Sequence, residues 1–400
     1  MAMISYRWIV VWVCFAILFV LTGIQMALAI FLIPMSREFG SSVSALALAM
    51  TICMLSTGFS LPIVGRVADR YGSRTVVLTG AVVAGVSALL LAFVSSVWQV
   101  YLLYGCLFGF AWNGSGMLAT TALISRWFAQ KRSVALTVFQ SAYPLGWFCM
   151  VPLAQRLATS YGWRNSWIAL GAFLLFAVLI AFFLLKDPER TSSDMSLSDT
   201  DRVVPLGTAL KTSFFLLLGV VIHFICGFTD VPFSTLWVPM SLEWGIDEVT
   251  ASYTLGLMAG IVFLGTIVLG PLPERLGYKI PLTVSYMIRT VSLAIPLFLA
   301  KSTMTYYALA FLLAFSFFGM TPIISSWLGE VFGERSLGGL LGLSVFMHFM
   351  GSGAGIYLFS LSAETYGTYR LAFVSGSALT LVSVVLCLLL RPGKTKVLVH

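Results

Sequence analysis

The sequence predicts an all-α polytopic membrane protein with twelve transmembrane helices in two pseudo-symmetric six-helix bundles. Three observations predict it: the composition, a series of apolar runs and an internal repeat. Of the 400 residues, 59 % are hydrophobic and only 10 % are charged, whereas a soluble domain carries about 45–50 % apolar and 25 % charged residues. So few charges cannot cover a surface in water, which argues against a cytosolic enzyme, a nucleic-acid-binding protein and a disordered chain.

Twelve apolar runs are each long enough to cross a bilayer, which takes about 20 apolar residues in a helix. They are 8–33, 44–64, 76–94, 98–125, 134–157, 166–185, 213–240, 250–270, 281–300, 303–328, 338–361 and 371–390. The first run is too long for the apolar core of a signal peptide, so we expect it to be retained. A polar stretch at 186–211 predicts a linker between an N-terminal bundle, 1–185, and a C-terminal bundle, 212–400.

The basic residues predict the orientation of these spans. Of the 23 lysines and arginines, 17 fall in segments on the side of both termini, 5 fall on the opposite side and one, Arg289, lies inside a span. Because cytoplasmic loops of membrane proteins are enriched in lysine and arginine, we expect both termini in the cytoplasm. We expect the plasma membrane as the location, and specifically a bacterial inner membrane. The same bias explains the net charge of +8 without a nucleic-acid partner. The six cysteines form no CxxC pair, so no disulfide framework, metal or other cofactor is expected.

The two halves of the chain repeat each other at an offset of 205 residues. GRVADRYGSR at 65–74 matches GPLPERLGYK at 270–279, and PMSREFG at 34–40 matches PMSLEWG at 239–245. Two further landmarks keep nearly the same spacing. Parallel six-helix repeats are typical of transporters whose two halves rock about a substrate site at their interface.

The 65–74 loop and its copy resemble the loop signature of the major facilitator superfamily, and the resemblance covers the whole chain. The motifs RWFxxKR at 126–132 and YGWRxxW at 161–167 are similar to the branch of monocarboxylate porters and oxalate–formate antiporters. The glycine-proline signature of proton-coupled drug exporters is absent from span five, where 143–146 reads YPLG. The resemblance therefore implies the major facilitator fold and favours uptake over drug export.

The repeated loop has a physical interpretation as a cytoplasmic latch. The carboxylate of Asp69 is expected to cap a helix start in the other half, and the basic residues are expected to bind carbonyl groups at helix carboxyl ends and the acid. Such contacts would hold the cytoplasmic face shut; the alternative is that these charges only set topology. The residues assigned to the latch are Gly65, Asp69, Arg70, Gly72, Arg74, Gly270, Glu274, Arg275, Gly277 and Lys279.

Asp230 lies near the middle of span seven, within GFTDVP at 227–232. Proline lacks an N–H and glycine loosens a helix, so we expect the span to bend or break there, and interrupted helices at mid-membrane indicate transport sites. The resemblance implies that spans one, four, seven and ten line the cavity. A carboxyl group buried there takes up a proton readily, which suits a proton carrier; a structural ion pair is the alternative. Its repeat counterpart, Gln25, is uncharged.

Three further ionisable residues lie at membrane depth. His223 is seven residues before Asp230, about 10 Å along the helix, and is either a proton relay or a histidine bonded to the backbone. His348, whose repeat counterpart is Tyr143, either faces the cavity or forms an interhelical hydrogen bond. The guanidinium fork of Arg289 suits a carboxylate substrate. The resemblance instead makes span nine a peripheral support helix, which favours a structural pairing for Arg289.

The remaining candidates for substrate contact are uncharged. They are Gln25, Asn113, Gln140 and Tyr143, which we expect to act together with His348 and Arg289. The pairs Gly256–Gly260 and Gly351–Gly355 have the GxxxG spacing that predicts close helix packing.

Together these features predict a secondary transporter that imports a small, monocarboxylate-like organic anion with protons by alternating access. A proton-antiport exporter of drugs or metabolites is the alternative. An enzyme or receptor is not indicated, because no catalytic cluster or sensor domain is present in the sequence. The expected partners are the small-molecule substrate, protons and the lipid bilayer, with no nucleic acid, and the chain is expected to be a monomer.

Overall fold

The computed structural model describes residues 2–128, 132–187, 206–269, 272–317, 320–332 and 334–390. Within these ranges all regular structure is helical and no strand occurs. Most of the predicted linker, 188–205, lies outside the described residues, as do Gly270 and the C-terminal segment 391–400.

Six helical spans occupy the first half of the chain. The first three are α1, Ala2–Phe39; α2, Val43–Tyr71; and α3, Ser73–Leu91. The fourth, α4, is the run 97–127, which consists of Val97–Val100, the π-helical Tyr101–Phe108, Gly109–Ser115 and Met117–Trp127. The helix Arg132–Gln140 and the first part of Ala142–Leu184 form α5, and 163–184 forms α6. Gly162, with φ of +80° and ψ of 160°, separates α5 from α6.

The second half also carries six spans. The run 213–242 is α7, which consists of Ser213–Phe215, the π-helical Leu216–Ile222, His223–Thr235 and Trp237–Leu242. The others are α8, Glu248–Leu269; α9, Lys279–Phe298; α10, Thr303–Phe317 with Met320–Phe332; α11, Glu334–Tyr366; and α12, Arg370–Leu389. Two short helices, Leu206–Ala209 and Leu272–Leu276, lie before α7 and α9.

These helices confirm the predicted all-α fold with twelve spans. Among the described residues, nine helices are long and apolar enough to cross a membrane without interruption. One of them, 134–184, contains both α5 and α6. The runs of α4 and α10 are interrupted and so are not among the nine. Counting α5 and α6 separately and adding α4 and α10 gives twelve spans.

The interruption of α7 lies later than the sequence predicts. The helix His223–Thr235 continues through the stretch 227–232 with Pro232 inside it, and the chain leaves helical geometry at Leu236, where φ is −97° and ψ is 9°. Proline removes one backbone N–H but fixes a helical φ, so a helix can pass through it when close packing holds the backbone. Here α11 supplies that packing, because a Cβ atom at Gly355 would lie 2.5 Å from Pro232 Cγ.

Both GxxxG pairs lie at close helix contacts, which confirms their prediction. A Cβ atom at Gly351 would overlap the carbonyl oxygen of Phe224 on α7. On α8, Gly256 and Gly260 lie against Pro152 and Phe148 of α5, where Cβ atoms would come within 2.9 and 3.0 Å of those side chains. Side chains at these positions would push the helices apart.

The contacts divide the chain into two compact units. The first comprises Met1–Pro188 and Ser234–Gly260, and the second comprises Glu189–Phe233 and Ile261–His400. The end of α7 and the first half of α8 therefore belong to the first unit. The chain-order division into 1–185, 186–211 and 212–400 stays a prediction.

The YGWRxxW motif joins two helix ends in the first unit. The indole of Trp163 donates a 2.7 Å hydrogen bond to Glu38 Oε2, and Arg164 Nη2 lies 2.7 Å from Glu38 Oε1. Trp167, one turn further along α6, is fully buried against Phe31 of α1 with ring centroids 5.2 Å apart. The motif thus fixes the start of α6 against the end of α1.

Candidate functional site

Arg289 on α9 forms the centre of a polar cluster inside the second unit. Its side chain is 0 % exposed. The guanidinium donates from Nη1 to Thr229 Oγ1 at 3.3 Å, and from Nε and Nη2 to the side-chain and backbone oxygens of Ser316, both at 3.2 Å. It also lies 4.6 Å from the ring centroid of Phe317. Arg289 therefore links α7 and α10 by hydrogen bonds to two hydroxyl oxygens and one carbonyl oxygen of the chain.

Asp230 follows Thr229 on α7 and lies within electrostatic range of Arg289. Its side chain is half-buried. The fold thus brings together the two charges that the sequence places at membrane depth, although 59 residues separate them. In a low-dielectric interior an opposite charge nearby offsets part of the cost of burying an ion.

A histidine pair lies on two helices of the second unit, His223 on α7 and His348 on α11. His223 is fully buried, and its Nδ1 atom shares a 2.6 Å hydrogen bond with Ser344 Oγ. The ring centroids of His223 and His348 are 5.2 Å apart. His223 Nε2 and His348 Nδ1 have no hydrogen-bond partner among the described residues. Gly227 permits this approach, because a Cβ atom there would overlap the His348 carbonyl oxygen.

Sequence reasoning missed three hydroxyl residues of this cluster: Thr229, Ser316 and Ser344. Serine and threonine are common in apolar helices and usually bond to their own backbone, so nothing in the sequence sets these three apart. The one usable signal is spacing. Ser344 precedes His348 by four residues, which places both on one face of α11.

The uncharged candidates of the first unit have different environments. Asn113 Nδ2 donates to the Thr57 carbonyl oxygen at 2.5 Å and to Ser60 Oγ at 2.7 Å, which joins α4 to α2. Gln25 is buried, and its Oε1 atom has no hydrogen-bond partner among the described residues. Asn113 is therefore engaged in helix packing, whereas Gln25 retains an unused acceptor.

Tyr143 and Gln140 lie on α5 and are both half-buried. The Tyr143 ring centroid is 6.3 Å from that of Trp112 and 5.2 Å from that of Trp147. Tyr143 therefore lies in an aromatic group on α4 and α5, and Gln140 ends the helix Arg132–Gln140.

The repeated loop binds helix ends within each unit. Arg74 Nε and Nη2 donate to the carbonyl oxygens of Leu185 and Phe182 at 2.5 and 2.8 Å, at the carboxyl end of α6. Lys279 Nζ donates to the carbonyl oxygens of Leu388 and Leu390 at 2.6 and 3.0 Å, at the carboxyl end of α12. A glycine with positive φ lies two residues before each cation, Gly72 at +89° and Gly277 at +72°.

The other latch candidates make few contacts in the described part of the chain. Asp69 and Arg275 are exposed. The Arg70 guanidinium lies 5.3 Å from the ring centroid of Tyr71. Gly65 has open space around it. Gly270 and the side chain of Glu274 lie outside the described residues, so the latch stays a prediction.

Side chains of α8 contact α1 and α5 within the first unit, which the sequence did not predict. Arg37 Nη2 lies 3.1 Å from Glu248 Oε1. One turn further along α8, Ser252 Oγ donates a 2.8 Å hydrogen bond to the buried Gln155 Oε1. These partners are far apart in the chain, and although Arg37 lies in the repeated PMSREFG segment, nothing in that segment indicates Glu248 as its partner.

Comparison with known proteins agrees with this fold. The sequence-family model of the Major Facilitator Superfamily matches residues 13–324 and 220–399 of this chain. "Uncharacterized MFS-type transporter YcxA" of Bacillus subtilis is 24 % identical over 365 residues, covering 88 % of this chain and 87 % of that protein. "Monocarboxylate transporter 13" of Rattus norvegicus is 25 % identical over 389 residues, covering 94 % and 87 %. The crystal structure of a D-xylose-proton symporter superposes with a TM-score of 0.77 at 13 % identity, covering 96 % of this chain and 97 % of that one.

The fold and these matches define a multi-pass membrane protein that transports small molecules and is not an enzyme. The chain belongs to the Major Facilitator Superfamily. The similarity to monocarboxylate transporters agrees with the resemblance of its motifs to that branch. The likeness to the xylose symporter concerns the fold alone.

Proposed function

We propose that this transporter imports a small organic anion of the monocarboxylate class together with a proton, and that Asp230 carries the proton. The observation that carries the proposal is the position of Asp230 next to Thr229, which accepts a hydrogen bond from the fully buried Arg289. The names of the monocarboxylate transporters among its relatives support the substrate class. We further propose cytoplasmic termini, on the distribution of positive charge, and retain a bacterial inner membrane and a monomeric state as proposals.

The pair provides a physical reason for coupling. With Asp230 ionised, its negative charge compensates that of Arg289. Protonation of Asp230 leaves the guanidinium charge uncompensated in a medium where charge interactions are strong. An anion that enters then restores the balance, so the proton and the anion favour each other's binding. The pair would thus carry one proton and one monoanion without net charge.

In this scheme the positive charge of Arg289 acts on the substrate electrostatically, at a distance, and the side chain does not contact the substrate. Its side chain is fully buried, and Thr229 and Ser316 accept hydrogen bonds from all three of its nitrogens. A substrate carboxylate would have to replace these contacts. We therefore favour a positioning role for Arg289, in agreement with the structural pairing that the sequence favours.

The histidine pair supplies the polar groups for substrate contact and proton movement. The free Nδ1 atom of His348 can donate to or accept from a ligand, and His223 Nε2 can pass a proton along α7. We retain Gln25, Gln140 and Tyr143 as proposed contacts on the first unit. Asn113 is better assigned to helix packing, because its amide nitrogen already bonds to α2.

Uptake into proteoliposomes tests the direction and the substrate class. Purified protein is reconstituted, an inward proton gradient is imposed, and uptake of radiolabelled lactate, a neutral sugar and an organic amine is compared. We expect gradient-driven accumulation of the carboxylate alone. Proton-driven efflux of the amine without carboxylate uptake would contradict the proposal and favour an exporter.

A further inference from the structure

An open groove lies on the first unit at the contact of α5 with α8, and none of its lining residues belongs to the polar cluster described above. It has a volume of about 380 Å³ and is lined by Cys149, Pro152, Leu153, Arg156 and Tyr253. This volume is within the range of ligand pockets, about 300–1,000 Å³.

Most of the groove is apolar. Of its lining residues, Leu153 is 42 % exposed. Outside the lining, Phe148 on α5 and Leu257 on α8 are 40 % and 57 % exposed. The helices approach closely here, because Pro152 and Phe148 pack against the glycines of α8. In a membrane-spanning chain, exposed apolar surface of this kind faces lipid acyl chains.

One end of the groove is cationic. Arg156 is exposed, its Nε atom donates a 2.9 Å hydrogen bond to the Tyr253 hydroxyl oxygen, and its guanidinium lies 5.9 Å from the Tyr253 ring centroid. This bond fixes the guanidinium plane, while Nη1 and Nη2 have no hydrogen-bond partner among the described residues. A fixed guanidinium with two open donors is suited to a phosphate group.

The cation lies near the ends of both helices that form the groove. Arg156 is six residues before the break at Gly162, about 9 Å along the helix, and Tyr253 is five residues after the start of α8, about 7.5 Å. Arginine and tyrosine at such positions contact the interface between the hydrocarbon and the headgroups.

We propose that this groove binds an anionic phospholipid. Its phosphate would accept hydrogen bonds from Nη1 and Nη2 of Arg156, and one acyl chain would lie along Cys149, Pro152 and Leu153. A lipid fits better than a free anion, because the groove continues from the cation over apolar surface. By touching both helices, the lipid would stabilise the contact between α5 and α8.

Native mass spectrometry of the purified full-length protein tests the site by counting retained lipids. The wild type is expected to retain roughly five times more phosphatidylglycerol than phosphatidylcholine. This ratio corresponds to a binding free energy of about 1 kcal/mol between one basic residue and an anionic lipid. Arg156→Gln should abolish this preference, and Tyr253→Phe should weaken it, because the guanidinium is then no longer fixed. Arg370→Gln removes another exposed cation, at the start of α12, and should leave the preference intact.

Equal retention of the two lipids by the wild type would overturn the proposal. So would an unchanged preference in Arg156→Gln, or an equal loss in Arg370→Gln. Thermal melting in detergent separates the two sources of phosphate: phosphatidylglycerol should raise the melting temperature of the wild type, and inorganic phosphate should not. A rise with inorganic phosphate alone would contradict a lipid site and indicate a free anion.

Discussion

Arg74 and Lys279 lie 205 residues apart and close the carboxyl ends of two helices in the same way. Arg74 binds the last carbonyl groups of α6, and Lys279 binds those of α12. The carboxyl end of a helix carries a partial negative charge and unpaired carbonyl groups, so a cation there is stabilising. The repeat in the sequence is therefore a repeat of one helix-capping contact in each unit.

Loss of this cap should destabilise the protein. Arg74→Gln removes charge-assisted hydrogen bonds to two carbonyl groups, and we expect a loss of about 1–2 kcal/mol in the free energy of unfolding. Lys279→Gln should have a similar effect. Thermal melting in detergent measures both. Arg70→Gln is the control, because Arg70 is exposed and contacts only the Tyr71 ring in the described part of the chain; an equal loss there would argue against the capping role.

Arg289 and Asp230 should be energetically coupled. Removing one member of a fully buried charge pair leaves the other uncompensated, which costs about 3–5 kcal/mol; since Asp230 is half-buried, its loss sets the lower end of this range. We therefore expect Arg289→Gln to lower the melting temperature strongly. The double variant with Asp230→Asn should lose less than the sum of the two single variants. A double-mutant cycle on melting temperatures measures this, and strictly additive losses would show that the two side chains do not form a pair.

His223 should affect proton movement more than substrate exchange. Its Nε2 atom lies unpaired in the buried cluster, where it can relay a proton, whereas its Nδ1 atom is held by Ser344. We expect His223→Gln to slow gradient-driven uptake while counterflow of labelled against unlabelled substrate continues. Equal slowing of both reactions would indicate that His223 serves packing or substrate binding instead.

The two contacts of α8 with α1 and α5 should differ in strength. The side chains of Arg37 and Glu248 are 72 % and 28 % exposed, and such surface pairs contribute about 0–1 kcal/mol. Ser252→Ala, in contrast, leaves the buried Gln155 Oε1 without its partner, which costs about 1–3 kcal/mol. Melting of Arg37→Ala and Ser252→Ala compares them, and a larger loss for Arg37→Ala would reverse this ranking.

The sequence was sufficient for features that depend on composition and periodicity. The twelve spans follow from apolar runs, and the loop repeat at 65–74 and 270–279 follows from matching residues. The interruption of α7 at Leu236 could not be predicted, because packing of α11 against Pro232 carries the helix through the expected break. The partners of Arg289 and His223 could not be predicted either, since they are hydroxyl groups on other helices.

Transport by the Asp230→Asn variant tests the proposed coupling most directly. Asparagine has nearly the same size as aspartate but cannot release a proton, so it isolates the proposed role of the carboxyl group. In proteoliposomes we expect proton-gradient-driven uptake of the carboxylate to fall to the level of empty liposomes while counterflow persists. Gradient-driven uptake by Asp230→Asn at the wild-type rate would contradict Asp230 as the proton carrier.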